Sequence, residues 1–216
     1  MSAETKTTSD FVAAALQKLP AAKPQQEMDD FAKRQHLMKV NELRENSQAP
    51  KRHMQSKADF SGEWGAKCNE LKSRLGTGFL VALVGTRGNG KTQIGTELIR
   101  AVTYTLRKAL FTTAVQFFVE IKSAYRKESA VSEQEAIRKL SKPALLVIDE
   151  FGKRGESEWE NTMLFEVINN RYNAVLDTVL IDNRTKAEFI ATIGPSLASR
   201  MSETGGIVEC NWPSFR

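Results

Sequence analysis

The octet Gly85-Thr86-Arg87-Gly88-Asn89-Gly90-Lys91-Thr92 has the spacing G-x-x-x-x-G-K-[ST], and its residue types suit one task, the gripping of a phosphate chain. The glycines let backbone N–H groups turn inward around phosphate oxygens, and a helix N-terminus behind them adds partial positive charge. Lys91 then reaches the β- and γ-phosphates while the Thr92 hydroxyl serves as a ligand for Mg²⁺. A second stretch, Leu145-Leu146-Val147-Ile148-Asp149-Glu150, is an apolar run that ends in two carboxylates. Asp149 would hold Mg²⁺, directly or through water, and Glu150 is placed to polarise an attacking water. A bare Asp-Glu pair also caps turns, but beside a phosphate loop the metal-and-water reading is the stronger one. Together these residues point to ATP and Mg²⁺ as cofactors and to ATP hydrolysis as the reaction.

Two further residues are weaker candidates. Asn183 in Ile181-Asp182-Asn183-Arg184-Thr185 either orients the water or contacts the γ-phosphate, or it is a turn residue ahead of a helix capped by Thr185-x-x-Glu188. Arg200 in Leu197-Ala198-Ser199-Arg200-Met201 is either a surface cation or a guanidinium that stabilises charge on a transferring phosphoryl group, often of a neighbouring subunit. His36 and His53 have no metal-ligand spacing and read as surface histidines.

The elements that must position these groups alternate. Phe79 to Val84 is a continuous apolar run, as a buried strand requires, and Thr92 to Leu106 carries Ile94, Leu98 and Val102 at helical spacing. Further strands are expected at Leu110–Val115, Leu145–Ile148, Thr178–Ile181 and Gly206–Cys210. Helices are expected at Cys68–Leu75 and Phe117–Lys127, after a capping box at Ser132-Glu133-Gln134-Glu135, at Ser157–Tyr172 behind a second candidate capping box, Ser157-x-x-Glu160, and in a short segment from Pro195. Strands interleaved with helices imply an α/β fold with a five-stranded parallel sheet.

The first sixty residues differ in character. A short helix is expected over Phe11–Leu19, interrupted by Pro20 and Pro24, and a polar one over Glu27–Asn46. The second carries only a sparse apolar set: Met28, Phe31, Leu37, Met38, Val40 and Leu43. Such a helix must dock, on its own domain or on another protein, the latter being a common recognition mode. The expected organisation is a helical partner-binding extension over residues 1–48, a basic linker over 49–60 and the ATPase domain over 61–216.

Composition sets bounds. With 41% hydrophobic residues the chain can bury a core, and its net charge of +5 suits a nucleic-acid partner without proving one. No apolar stretch nears the roughly 20 residues of a membrane span, and residues 1–10 lack a signal-peptide pattern. A cytoplasmic protein with no membrane partner is expected. Cys68 and Cys210 stand far apart with no C-x-x-C, which argues against a zinc site or a disulfide framework.

The order of phosphate loop, Leu-Val-Ile-Asp-Glu, Asn183 and Ser199-Arg200-Met201 resembles an AAA+ ATPase. More narrowly, Asp149-Glu150-Phe151-Gly152, Glu156-Ser157-Glu158-Trp159-Glu160 and Asn211-Trp212-Pro213-Ser214-Phe215-Arg216 are similar to stretches of the DnaC-type loaders of bacterial and phage replicative helicases, relatives of the IstB-like ATPases. The resemblance covers Phe79 to Arg216 well and the N-terminal region only in general character. It implies the three-layer AAA+ fold, with Asn183 as sensor 1, Arg200 as an arginine finger acting in trans and Arg216 as a sensor-2-like arginine. The family pattern continues past that arginine with a short tail. Here the sequence stops at Arg216, and its own carboxylate would be expected to compete for the guanidinium.

The resemblance also implies single-stranded DNA binding, in which rings stack on bases while cations track phosphates. Lys122, Tyr125, Arg126 and Lys127 fit that recipe, as do Ser157 and Trp159, although Trp159 also has a packing role open to it beside Met163 and Val167. The implied activity is ATP-dependent loading of a replicative DNA helicase onto single-stranded DNA. The helicase would be held by the N-terminal extension, and the loader would self-assemble with ATP into an arc or spiral. Two alternatives stand beside it: an IstB-like transposition ATPase acting on duplex DNA, and a nucleotide-regulated adaptor with negligible turnover.

Overall fold

The structure is a computed structural model and describes residues 24–125 and 132–214. Its chain divides into two compact units, Met1–Lys39 and Val40–Arg216. Helix α1 (Pro24–Asn46) runs through the division. It begins at a proline, whose missing N–H costs nothing in a first turn. In the first unit Met28, Phe31, Leu37 and Met38 are exposed along α1. The helix expected over Phe11–Leu19 lies outside the described residues.

The second unit interleaves helices and strands: α2 (Lys51–Gln55), α3 (Gly62–Ser73), β1 (Leu80–Val84), α4 (Lys91–Tyr104), β2 (Ala109–Thr113), α5 (Ala114–Ser123), α6 (Glu133–Ser141), β3 (Leu145–Asp149), α7 (Glu158–Asn173), β4 (Asp177–Ile181), α8 (Lys186–Thr204) and β5 (Gly206–Glu209). The strands form one sheet in the order β2-β3-β4-β1-β5, and every pairing is parallel. This is the five-stranded parallel sheet the sequence led us to expect.

Continuous apolar strands make sense here because helices cover both faces. On one face Leu80, Ala82, Val84, Leu146, Ile148 and Leu180 pack with Phe117, Ile137, Val167 and Phe189 from α5, α6, α7 and α8. On the other, Val81, Leu83, Leu145, Val147 and Ile181 meet Trp64, Leu71, Ile94 and Leu98 from α3 and α4. Alternate residues of each strand thus feed two separate cores, as a period of two dictates.

Polar groups at the bottom of the sheet fix where β1 starts. The Asp177 carboxylate accepts from the Gly76 and Gly78 N–H groups at 2.6 and 2.9 Å. Behind it Arg171 is fully buried; it donates to Thr178 Oγ1 at 2.8 Å and to the Pro143 and Ser141 carbonyls at 2.8 and 3.1 Å. Burial pushes its guanidinium below the usual arginine range, with Asp177 opposing.

Three expectations change. The segment 49–60, expected as a linker, contains α2, which is tied to α4: His53 Nδ1 lies 2.8 Å from Gln93 Oε1, and Arg100 donates to the Met54 and Ser56 carbonyls. Helix α5 starts three residues before the expected Phe117, because Thr113 at the end of β2 caps it, accepting from Gln116 N–H at 3.2 Å. The short helix expected from Pro195 is the second half of α8, which kinks at Gly194 (φ 71°, ψ 161°). A proline cannot continue the ladder behind it, and glycine supplies the positive φ.

Candidate nucleotide-binding and hydrolysis site

Strands β1, β3 and β4 all end at the same edge of the sheet, where open parallel sheets bind ligands. The octet joins β1 to α4. Gly85, Gly88 and Gly90 all have positive φ, the conformations that let successive N–H groups converge on an anion. The Gly85 N–H donates to the Arg184 carbonyl at 3.1 Å, which ties the loop to the turn after β4. Lys91 is only 4% exposed. Its ammonium donates to the loop's own Gly85 and Thr86 carbonyls at 2.8 and 2.6 Å. Burial pushes it below the usual lysine range, with Cys210, Asp149 and Asp182 pulling the other way.

The Thr92 hydroxyl donates to Asp149 Oδ2 at 2.7 Å, and the Glu150 N–H donates to Asp149 Oδ1 at 2.6 Å. Burial raises the Asp149 carboxyl above its ordinary range; the Thr92 and Glu150 hydrogen bonds and Lys91 oppose that shift, and the Glu150 charge adds to it. A hydroxyl and a carboxylate side by side are hard oxygen donors suited to Mg²⁺, and a bound cation would favour the charged carboxylate that burial disfavours. The residues present fit the metal.

Glu150 takes a left-handed backbone conformation, φ 54°, which is costly for a residue other than glycine and found at functional turns. Just beyond it, a 3₁₀ turn (Phe151–Lys153) is anchored by buried Phe151, whose ring lies 5.6 Å from that of Phe189. Lys153 donates to Glu150 Oε1 at 2.5 Å, a half-exposed pair.

Asn183 is exposed in the turn after β4. Its neighbours do more structural work than the sequence indicated. Asp182 is buried and accepts from Arg184 Nε and Nη2 at 3.0 and 2.8 Å, while Arg184 Nη1 donates to Glu156 at 2.8 Å. A charged pair just past a strand end was the available signal for this clamp.

Arg200 lies elsewhere, on the second half of α8. Its guanidinium sits 4.8 Å from the Phe165 ring centroid and 5.1 Å from that of Tyr172. Its Nη1 is buried and has no acceptor among the described residues. The Tyr172 hydroxyl donates to Glu203 at 2.7 Å.

A third cluster joins α5 to the start of α7. Lys122 Nζ stands 4.9 Å above the Trp159 ring, and the Trp159 Nε1–H donates to the Tyr125 hydroxyl at 3.3 Å. The Trp159 ring is partly buried against the core that holds Met163 and Val167, and it lies 6.0 Å from Phe118. Tyr125 is 53% exposed. Ser157 is the cap of α7 and accepts from the Glu160 N–H at 3.3 Å. Arg126, Lys127 and Arg216 lie outside the described residues.

A phosphate loop with this partner strand matches a known family: the model described as IstB-like ATP binding protein covers residues 18–204. The chain is a member of the IstB-like ATP-binding family. Among curated proteins, the replicative helicase loader DnaC of Escherichia coli (strain K12) is 26% identical over 133 residues, 61% of this chain and 54% of DnaC. The chain thus spans about half the length of the curated relatives it matches. A crystal structure of the DnaC helicase loader is similar at TM-score 0.59 and 16% identity, over 71% of this chain and 91% of that one. The replication initiator DnaA bound to AMPPCP and single-stranded DNA is similar at TM-score 0.59 and 18% identity, over 70% and 47%. At these identities the likeness establishes the fold, the AAA+ arrangement of this family. Among the described residues no helix is long and apolar enough to cross a membrane.

Proposed function

We propose that this protein is an ATP-driven loader of a replicative DNA helicase onto single-stranded DNA. The observation that carries the reading is the basic–aromatic cluster of Lys122, Tyr125 and Trp159 in a chain whose curated relative is a helicase loader. One 3₁₀ turn and a short loop, residues 151–157, connect Glu150 to the start of α7 and Trp159.

Each residue has a task. The loop N–H groups and Lys91 bind the phosphates; Lys91 exchanges its two carbonyl partners for phosphate oxygens. Thr92 and Asp149 hold Mg²⁺, which when bound supplies charge neutralisation at the phosphates. Glu150 takes a proton from the attacking water, and Asn183 holds that water in line. Arg200 serves a neighbouring copy, its guanidinium leaving the Phe165 and Tyr172 rings to reach a phosphate oxygen, and Arg216 approaches the γ-phosphate of its own site. Rings of Tyr125 and Trp159 stack on bases while Lys122, Arg126, Lys127 and Ser157 contact the backbone. The extension over residues 1–48, with exposed Met28, Phe31, Leu37 and Met38, grips the helicase, and residues 61–216 act as the ATPase domain.

Co-purification with a bacterial replicative helicase tests this. Retention is expected for the full chain with ATP and is lost when Phe31 and Met38 are changed to Ser; retention unaffected by those changes would remove the extension from the reading. The family name keeps one competitor, a transposition ATPase on duplex DNA. Preference for duplex over single-stranded DNA in a binding titration would favour it.

A further inference from the structure

The crest of the phosphate loop is fastened to the segment after β5. Asn89 is buried, and its side-chain amide donates to the Cys210 and Trp212 carbonyls, each at 2.8 Å. The Thr86 hydroxyl donates to Asn89 Oδ1 at 3.1 Å. In return, the Trp212 indole N–H donates to the Asn89 backbone carbonyl at 2.5 Å. One residue on, the Trp64 indole N–H from α3 donates to the Gly90 carbonyl at 3.2 Å. Two indoles from opposite ends of the unit thus hold consecutive carbonyls of the loop.

The consequence follows from peptide geometry. In a trans peptide the C=O and the next N–H point in opposite directions. Fixing the Asn89 carbonyl therefore aims the Gly90 N–H, and fixing the Gly90 carbonyl aims the Lys91 N–H, away from the indoles and toward the side on which an anion is gripped. The Gly90 carbonyl also accepts the Ile94 N–H at 2.9 Å, the first hydrogen bond of α4, so the Trp64 bond reinforces a plane the helix already holds, and the Trp212 bond is the one that sets the Asn89–Gly90 plane beside a flexible glycine. We infer that Asn89, Trp212 and Trp64 are positioning residues for phosphate binding, and that the segment Cys210–Trp212 is a working part of the nucleotide site. Their hydrogen bonds hold the cradle open in its binding shape before ATP arrives, so their loss falls on affinity rather than on turnover at saturating ATP. Asn89 is the hub, since its side chain and backbone both engage the segment.

The test uses Trp212→Phe and Trp64→Phe, which keep a ring in each core position but remove the donor and some packing volume, together with Asn89→Ala. In the full chain, Trp212→Phe is expected to weaken ATP and ADP binding about tenfold, the scale of one buried hydrogen bond, Trp64→Phe less, because the Ile94 N–H still holds the Gly90 carbonyl, and Asn89→Ala more. The urea midpoint of the Phe variants falls modestly, through the lost buried hydrogen bond and lost packing volume, while both stay folded under the titration conditions. ATP addition changes tryptophan emission in the wild type, and that change is lost in Trp212→Phe. Affinity is read by direct titration, so the outcome does not depend on hydrolysis. ATP and ADP dissociation constants within twofold of wild type for Asn89→Ala overturn the inference, whatever the Phe variants do. A Phe variant that loses affinity only in step with its folding stability counts against it as well.

Discussion

The nucleotide edge and the face formed by α7 and α8 solve opposite problems. At the edge, the polar groups are buried and already paired: Lys91 on two loop carbonyls, Thr92 on Asp149, Asn89 on the post-β5 segment. On the α7–α8 face, Arg200 rests between two rings with one nitrogen unpaired, and the Tyr125–Trp159 cluster near the start of α7 stays half exposed. In one region the polar groups are paired within the chain; in the other they lie on rings or stay half exposed. Buried polar atoms without partners are rare and need an explanation; for Arg200 the proposed one is a role at a neighbouring copy's site.

The comparison breaks hardest at Arg200. If this residue completes a neighbour's site, Arg200→Ala lowers ATP turnover by at least about 10³-fold at saturating protein. Mixing it with Lys91→Ala subunits restores part of the activity, because each variant supplies what the other lacks. Turnover at the wild-type level would make Arg200 a packing residue of the α7–α8 face.

At the edge, Lys91→Ala is expected to weaken ATP binding roughly 100-fold, the loss of charge-assisted hydrogen bonds worth about 3 kcal/mol. Calorimetric titration reads this directly, and retained affinity would remove the phosphate-cradle assignment. Glu150→Gln serves as its control, because it should bind ATP as the wild type does yet fail to turn over.

Smaller effects sharpen the exposed side. Tyr125→Ala and Trp159→Ala are each expected to weaken single-stranded DNA binding about tenfold, since one stacked base is worth about 1–3 kcal/mol. Trp159→Ala also lowers stability, given its contact with the core, whereas exposed Tyr125 does not. Anisotropy with labelled oligonucleotides, read beside a melting curve, separates the two roles. Smallest of all is Lys153→Gln, which breaks the half-exposed pair with Glu150 and should shift unfolding free energy by under about 1 kcal/mol. A larger shift would show that the turn after β3 is held more rigidly than its exposure indicates.

What was legible in the sequence was local. The strands behind the octet and Asp149 are unbroken apolar runs, and both full capping boxes, Ser132 with Glu135 and Thr185 with Glu188, formed as the spacing implied. What was not legible depends on contacts between distant residues. Helix α2 is five residues long and owes its place to His53, Gln93 and Arg100 rather than to its own propensity. The Asn89–Trp212 fastening joins residues 123 positions apart, so no window along the chain reveals it. The Ser157 cap formed only in half: Glu160 Oε2 has no partner among the described residues. The spacing predicts that exchange, but the Glu160 carboxylate lies over Gly155 instead, where a Cβ would come within 3.3 Å of both its oxygens.

The most direct test of helicase loading uses closed circular single-stranded DNA, which a ring-shaped helicase cannot enter from an end. With ATP and this protein, a bacterial replicative helicase should be retained on the circle after gel filtration, and Lys91→Ala should abolish that retention. Equal retention with and without the protein, or with the Lys91→Ala variant, would contradict the account.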